Sequence, residues 1–312
     1  MRYFVILVLV NLMWAFQFSG AKLAMAQLGP ITVAFLPLAM STLLLAPFIV
    51  LERRRRDGQP AGRPRVGTTI LQFAVLGTAG TIAAQLFLVW GVQRSLASNA
   101  AVINLTIPVL TAVIAAVLLQ ERMTRLRWIS FALAIAGVLL VSDMEWRSLQ
   151  IFHGKYLFGN FLIFLSCCGS AFYNTYSKKL LRRFAPSEVL VYSFIVADLI
   201  LLALMLKYEP VSWARLAALE SSVWFSLLII AVFSLSFSMM LFLWVIKHID
   251  VTQASLSIYL LPVFGVILSN LTLREKLTLH LVIGGFLVFL STFLVTIYEG
   301  RTRRREEIAR AA

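Results

Sequence analysis

Apolar runs long enough to cross a bilayer recur along the whole chain, and they settle which solvent it folds in. A hydrocarbon core of about 30 Å needs about 20 apolar residues per helix. Runs of that kind fall at roughly 3–24, 30–51, 68–92, 98–119, 127–142, 156–177, 187–206, 222–246, 251–273 and 278–298. The fifth, from Trp128 to Ser142, is short and flanked by charge, yet too apolar for water. Links such as Arg94–Ala97 and Ile249–Asp250 are only a few residues long, so consecutive runs lie antiparallel. Backbone groups in lipid are satisfied within their own segment, and nothing here alternates like a porin strand, so each run reads as a helix. With 60% apolar and 13% charged residues and a mean hydropathy of +0.88, the chain has too little polar surface for a water-soluble fold. The expected fold class is all-α: a polytopic membrane protein of ten transmembrane helices.

Arg2, an apolar run and Ala24-Met25-Ala26 imitate a secretory signal peptide with its cleavage site. Asn11, Trp14 and Gln17 interrupt that run, and the segment has a counterpart in the second half, so it reads as the first spanning helix. Of the 28 Lys and Arg residues, 20 fall on one side if both termini are inside, 7 fall on the other, and Lys22 lies within the first helix near its outer end. Positive charge marks the cytoplasmic side, which places both termini in the cytoplasm. Arg53–Arg56 then anchors on anionic lipid. The net charge of +14 is dispersed between apolar runs instead of forming a basic stripe on a soluble domain, which argues against nucleic acid as a partner. Two cysteines, adjacent at Cys167 and Cys168, exclude a disulfide scaffold and a four-thiolate metal site.

The chain also repeats itself. At an offset of 154, Trp90 meets Trp244, Pro108 meets Pro262, Glu121 meets Glu275, Arg122 meets Lys276 and Thr124 meets Thr278. Earlier in each half the offset is 156: Ala15-Phe16 meets Ala171-Phe172, Lys22 meets Lys178 and Pro30 meets Pro186. This describes one five-helix unit used twice, at 1–145 and 146–300, with a basic tail at 301–312. Five is odd, so the second copy enters from the opposite face: an inverted repeat, the architecture of many secondary transporters, with a site expected near the midplane between halves. In the fourth helix Ala97, Ala100, Ala101, Asn104, Pro108, Thr111 and Ala115 share one face, matched in the ninth by Val251, Ala254, Ser255, Ile258, Pro262, Gly265 and Ser269. Small residues of this kind let helices approach closely in lipid. Pro108 and Pro262 free the carbonyls of Asn104 and Ile258, which predicts a matched pair of kinks suited to a gate.

Ten helices in two five-helix repeats, Trp14 in the first helix and proline midway along the fourth and ninth form a recognisable pattern. The prolines are followed by Leu-Leu-Gln-Glu-Arg (118–122) and Leu-Thr-Leu-Arg-Glu-Lys (271–276). From about residue 3 to 298 the chain resembles the EamA family of the drug/metabolite transporter superfamily. That resemblance implies an inner-membrane carrier, often an exporter of amino acids or related metabolites.

Residues for transport are sought among polar groups held at depth. Asp198, midway along the seventh helix, is the sole carboxylate so deep in any span, and it needs a partner or a proton there. It is the candidate for proton coupling. A substrate cavity with aromatic walls and a few polar pins would draw on Trp14, Gln17, Gln85, Asn104, Tyr173, Asn174, Gln253, Ser257 and Tyr259. Lys22 and Lys178, placed by the inversion at opposite mouths, could attract a carboxylate from either side, alongside Pro108 and Pro262 as gate or hinge residues. There is no Walker-type phosphate loop, Gly-x-Ser-x-Gly elbow or His-Glu-x-x-His helix, so the sequence demands no cofactor and no catalytic residues.

The reading is a secondary transporter that exports a neutral or aromatic amino acid, or a related solute, by alternating access. Its partners are a small-molecule substrate and the lipid bilayer; no motif demands an oligomer. Rival readings are a membrane-embedded enzyme acting on a lipid or lipid-linked substrate, a channel, and an importer or multidrug or amine carrier of the same fold. The enzyme would cluster acids or histidines at one interface, and the channel would ring its pore with like polar groups.

Overall fold

A computed structural model of the chain describes residues 1–56, 66–95, 103–141, 154–264 and 279–299. Its long helices are α1 (Arg2–Ala24), α2 (Pro30–Arg56), α3 (Val66–Val75, Leu76–Ile82 and Ala83–Gln93), α4 (Thr106–Leu118) and α5 (Arg125–Val141). They continue with α6 (Gly154–Leu180), α7 (Pro186–Tyr208), α8 (Ser221–Ile229, Ile230–Phe237 and Ser238–His248), α9 (Val251–Phe264) and α10 (Leu279–Phe293 and Leu294–Glu299). No strand occurs among the described residues. Five helices are long and apolar enough within these residues to cross a membrane unaided: α2, α3, α6, α7 and α8. The fourth and ninth runs extend into 98–102 and 265–273, which lie outside the described residues. Outward-facing Leu43, Phe48, Ile70, Phe161, Leu199, Phe225 and Phe286 are all exposed, as a lipid-facing surface requires.

The packing has the symmetry of two copies related by inversion. Helices α2 and α7, α4 and α9, and α5 and α10 each pack against their own counterparts, while the α3–α6 contact is mirrored by α8 against α1. Two side-chain contacts mark the axis directly. Thr42 Oγ1 lies 2.6 Å from Asp198 Oδ2, and the two residues are 156 apart in sequence. Tyr259 donates its hydroxyl to the Leu105 carbonyl at 3.1 Å, and these are 154 apart. A residue can touch its own equivalent only where the pseudo-two-fold axis passes, so the axis crosses the middle of the α2–α7 and α4–α9 pairs. The two offsets read from sequence are the offsets found in space.

A second symmetric device closes the ends of the α2–α7 pair. The first N–H groups of a helix have no partner in their own helix and carry a partial positive charge, so a carboxylate serves them well. Glu209, just past α7, accepts from Ile31 N at 3.1 Å, Thr32 N at 2.9 Å and the Thr32 hydroxyl at 3.0 Å. Glu52, near the end of α2, accepts from Ser187 N at 3.2 Å and from the Ser187 hydroxyl at the start of α7. Each helix thus lends a glutamate to cap the other, which is possible only for antiparallel neighbours. Glu209→Ala is expected to cost about 1–2 kcal/mol, the usual cost of a lost cap. A melting temperature in detergent equal to the parent's would refute that role.

Helices α3 and α8 carry matched irregularities. Each widens to π-helical turns partway along, at Leu76–Ile82 and Ile230–Phe237. A wide turn shifts the backbone hydrogen bonds and frees carbonyls for side chains, which is why such turns gather at functional sites. In α8 the Ser236 hydroxyl returns to the Ala231 carbonyl at 2.7 Å, five residues back.

Candidate transport site

Pro108 and Pro262 are each preceded by a local departure from regular α-helical hydrogen bonding. Leu105 is a turn residue with right-handed helical angles (φ −62°, ψ −16°) just before α4, and α9 tightens to a 3-10 turn over Leu256–Tyr259. Each irregularity begins a few residues before its proline, where the missing N–H leaves a carbonyl unpaired. Tyr259 ties the two breaks together through its bond to Leu105 and is almost completely buried.

Several of the candidate cavity residues make contacts between helices. Gln253 donates to the carbonyls of Val295 at 2.6 Å and Thr296 at 3.1 Å, satisfying the π-helical end of α10. Ser257 donates to Ala254 O at 2.7 Å and accepts from Asn11 Nδ2 at 2.9 Å. Tyr173 is buried with its hydroxyl 3.4 Å from Ser193 Oγ. The Asn104 carboxamide oxygen accepts the Cys167 thiol at 3.3 Å. Asn174 is buried and makes no side-chain hydrogen bond among the described residues.

A different group stays together around α1. The Trp14 indole donates to Ser234 O at 3.1 Å, a carbonyl within the π-helical turns of α8, and its ring lies 5.1 Å from that of Phe242. The Ser234 hydroxyl returns the contact, donating to Met13 O at 2.8 Å. Towards the next turn Gln17 Nε2 donates to Gln85 Oε1 at 3.1 Å. Both glutamines are half-buried and make no other side-chain hydrogen bond among the described residues. Whichever way the two amides are turned, one NH2 group and one carbonyl of the pair remain open. The pair therefore offers a donor and an acceptor, about one helical turn along α1 from Trp14.

Asp198 lies elsewhere, on the axis between α2 and α7. Thr42 Oγ1 is 3.0 Å from Leu38 O and 2.6 Å from Asp198 Oδ2, both acceptors. A hydroxyl has one proton to give, so Thr42 shares it between the two acceptors, and both are fully satisfied when the Asp198 carboxyl carries a proton of its own and donates it to Thr42. Asp198 Oδ1 is buried without a partner.

Lys178 is also engaged, where the sequence placed it as an open attractor at a mouth. Its ammonium sits 3.3 Å from Glu121 Oε1 and 3.8 Å from Asp250 Oδ1, and donates to the Ile249 carbonyl. Arg127, completely buried, binds Asp250 Oδ2 at 2.5 Å and Arg122 O at 2.9 Å. Glu121 caps α9, accepting from Val251 N at 2.9 Å and Thr252 N at 3.1 Å. Gln120 takes a left-handed backbone conformation, φ 58°, to turn the chain there. The sequence signalled Glu121 through the repeat, but gave no sign of Arg127 or Asp250 beyond their charge. The side chain of Lys22, the counterpart of Lys178, lies outside the described residues.

An all-helical, multi-pass membrane protein folded as two inverted repeats, with polar groups gathered near the axis, is built as membrane transporters are. Residues 1–143 and 157–297 match the EamA-like transporter family, and the chain belongs to that family. It is 25% identical over 295 residues to an uncharacterized transporter of Archaeoglobus fulgidus, covering 95% of this chain and 99% of that one. It is 25% identical over 307 residues to a probable terminal-alkyne amino-acid exporter of Streptantibioticus cattleyicolor, covering 96% and 95%. A solved crystal structure superposes with a TM-score of 0.75 at 16% identity, covering 96% of this chain and 98% of the other. That likeness bears on the fold alone. The protein is a membrane transporter.

Proposed function

We propose that this transporter exports a small organic metabolite, a neutral or aromatic amino acid or a related solute, across the inner membrane by alternating access. The observation that carries the reading is the Gln17–Gln85 pair, about one helical turn along α1 from Trp14, with one open NH2 group and one open carbonyl. A zwitterion can meet both, its carboxylate on the amide NH2 and its ammonium on the amide oxygen, while the indole face packs on an apolar or aromatic side chain. The amino-acid exporter named among the relatives supports both the substrate class and the direction. The excess of Lys and Arg at the ends of α2, α4 and α6 supports cytoplasmic termini. Asp198 is assigned the coupling proton, and the breaks before Pro108 and Pro262 are assigned the hinges about which one repeat rocks on the other. The domain division at 1–145 and 146–300 follows the same reading.

Thermal-shift measurements on the purified protein in detergent test the site. A bound ligand raises the apparent melting temperature by mass action. Among amino acids, amines, nucleosides and sugars, an aromatic or neutral amino acid is expected to give the largest rise, and Trp14→Ala and Gln17→Ala are expected to remove it. A rise with amines alone would replace this reading with the amine-carrier one. A rise that survives both substitutions would move the site away from α1.

A further inference from the structure

Four charged side chains meet at the end of the bundle where α4 finishes and α9 begins. Glu121 and Asp250 supply two negative charges, Arg127 and Lys178 two positive ones, and their side chains are 6%, 11%, 0% and 19% exposed. Through them the end of α4, the start of α5, the end of α6, the end of α8 and the start of α9 are joined at one place. Two of these helices, α4 and α9, are the proline-bearing pair on the axis, so whatever holds their ends together also resists their parting.

The repeat in sequence reproduces only part of this cluster. By the repeat, Lys178 corresponds to Lys22 and Glu121 to Glu275, so a lysine and a glutamate recur at the other end. Arg127 and Asp250 correspond to Leu281 and Leu96, neither of which can carry charge. The repeat therefore supplies no second copy of the buried Arg127–Asp250 pair at the equivalent positions. Breaking one partner of a buried pair strands a charge, whereas exchanging both for apolar groups is close to neutral in stability. Such a pair is well suited to biasing two conformations without deciding whether the protein folds.

We propose that Arg127, Asp250, Lys178 and Glu121 form a latch that holds the cytoplasmic mouth closed, and that it parts each time the carrier opens inward. The assignment of this mouth to the cytoplasm rests on the orientation proposed above; the latch itself does not depend on the substrate. With the latch made, the resting carrier faces outward, and a substrate arriving from the cytoplasm meets a mouth that has to open first.

The test gives the latched end the residues of the other end, Arg127→Leu with Asp250→Leu, in full-length protein whose native cysteines are replaced by alanine. Ser255→Cys, fully buried one turn inside the latch, reports opening through its reaction with a membrane-impermeant maleimide in inside-out and right-side-out vesicles. Labelling in inside-out vesicles is expected to rise by about tenfold, since the population shift follows the free energy removed, with a melting temperature close to the parent's. Lys178→Met, which leaves the Arg127–Asp250 pair and the Glu121 cap in place, is expected to give a smaller rise and stands in if the double variant fails to fold. Unchanged labelling in the folded variants would overturn the latch. A rise confined to right-side-out vesicles would overturn its cytoplasmic placement. Neither result requires a known substrate, so a failed latch is distinguishable from a failed ligand screen.

Discussion

Asp198→Asn is expected to reduce pH-gradient-driven transport in proteoliposomes to the level of protein-free vesicles while substrate counterflow persists. The argument is one of proton counting. A carboxylate midway through a span costs roughly 2.5–3.5 kcal/mol on insertion scales, and the described surroundings of Asp198 offer no cation to offset it. What they offer is Thr42, whose hydroxyl is already in reach of Leu38 O. Thr42 can satisfy Leu38 and also accept from Asp198 only when the acid is protonated. Loss of that proton leaves Thr42 with two acceptors and one hydrogen, while Asp198 Oδ1 still has no partner. The two protonation states therefore favour different packings of α2 against α7, at the point where the axis relating the repeats passes. Asparagine keeps the shape and the contact to Thr42 but cannot load and release a proton. Because Asp198 makes no hydrogen bond to Trp14, Gln17 or Gln85 among the described residues, ligand-induced thermal stabilisation should survive in Asp198→Asn. If gradient-driven transport also survives, Asp198 is a structural acid and coupling lies elsewhere.

The fold was legible in the sequence because its main determinants are linear. Span length follows from the thickness of the bilayer, and the inversion follows from five helices repeated at offsets of 154 and 156, which reappear as the Leu105–Tyr259 and Thr42–Asp198 contacts. The local irregularities before Pro108 and Pro262 were legible because proline acts on its own helix. The site was legible in depth but not in direction. Gln17 and Gln253 are both glutamines within spans, yet one meets a second amide and stays half open, while the other is consumed by two carbonyls of α10. Which outcome occurs depends on how each helix is rotated against neighbours far along the chain. The glutamate caps were hidden for the same reason. Glu209 serves an N-terminus 177 residues away, and acids at span ends carry little weight in an orientation argument built on Lys and Arg. Lys178 was expected at a mouth of the bundle, but its engagement with Glu121 and Asp250 depends on a helix end and two interhelical turns meeting.

Substituting Gly169 by leucine is expected to abolish recovery of monodisperse protein, whereas Met13→Leu at the equivalent position should be tolerated. The repeat builds the same seam twice, α3 against α6 and α8 against α1, and fills it differently. On α6 a Cβ at Gly169 would lie 2.7 Å from the Ala83 Cβ and 2.8 Å from the Ala84 N, and one at Gly159 would lie 2.5 Å from the Arg94 carbonyl. The Ser166 hydroxyl, on the same face, donates to Ala84 O at 2.8 Å. Backbone has nowhere to retreat, and in lipid this close approach is what holds helices together. In the other copy Met13 stands where Gly169 does, Tyr3 where Gly159 does, and Trp14 where Ser170 does. Tyr3 packs on Trp244 with ring centroids 5.6 Å apart, and Trp14 on Phe242 at 5.1 Å. One seam is thus a backbone weld and the other an aromatic joint, which is where a carrier can part to admit a ligand. Forcing a leucine into the weld should cost more than about 3 kcal/mol, above the usual range for overpacking because backbone is what it strikes. Size-exclusion profiles and melting temperatures of the two variants provide the check. Equal behaviour of Gly169→Leu and Met13→Leu would mean that the seams are equivalent and that the asymmetry carries no function.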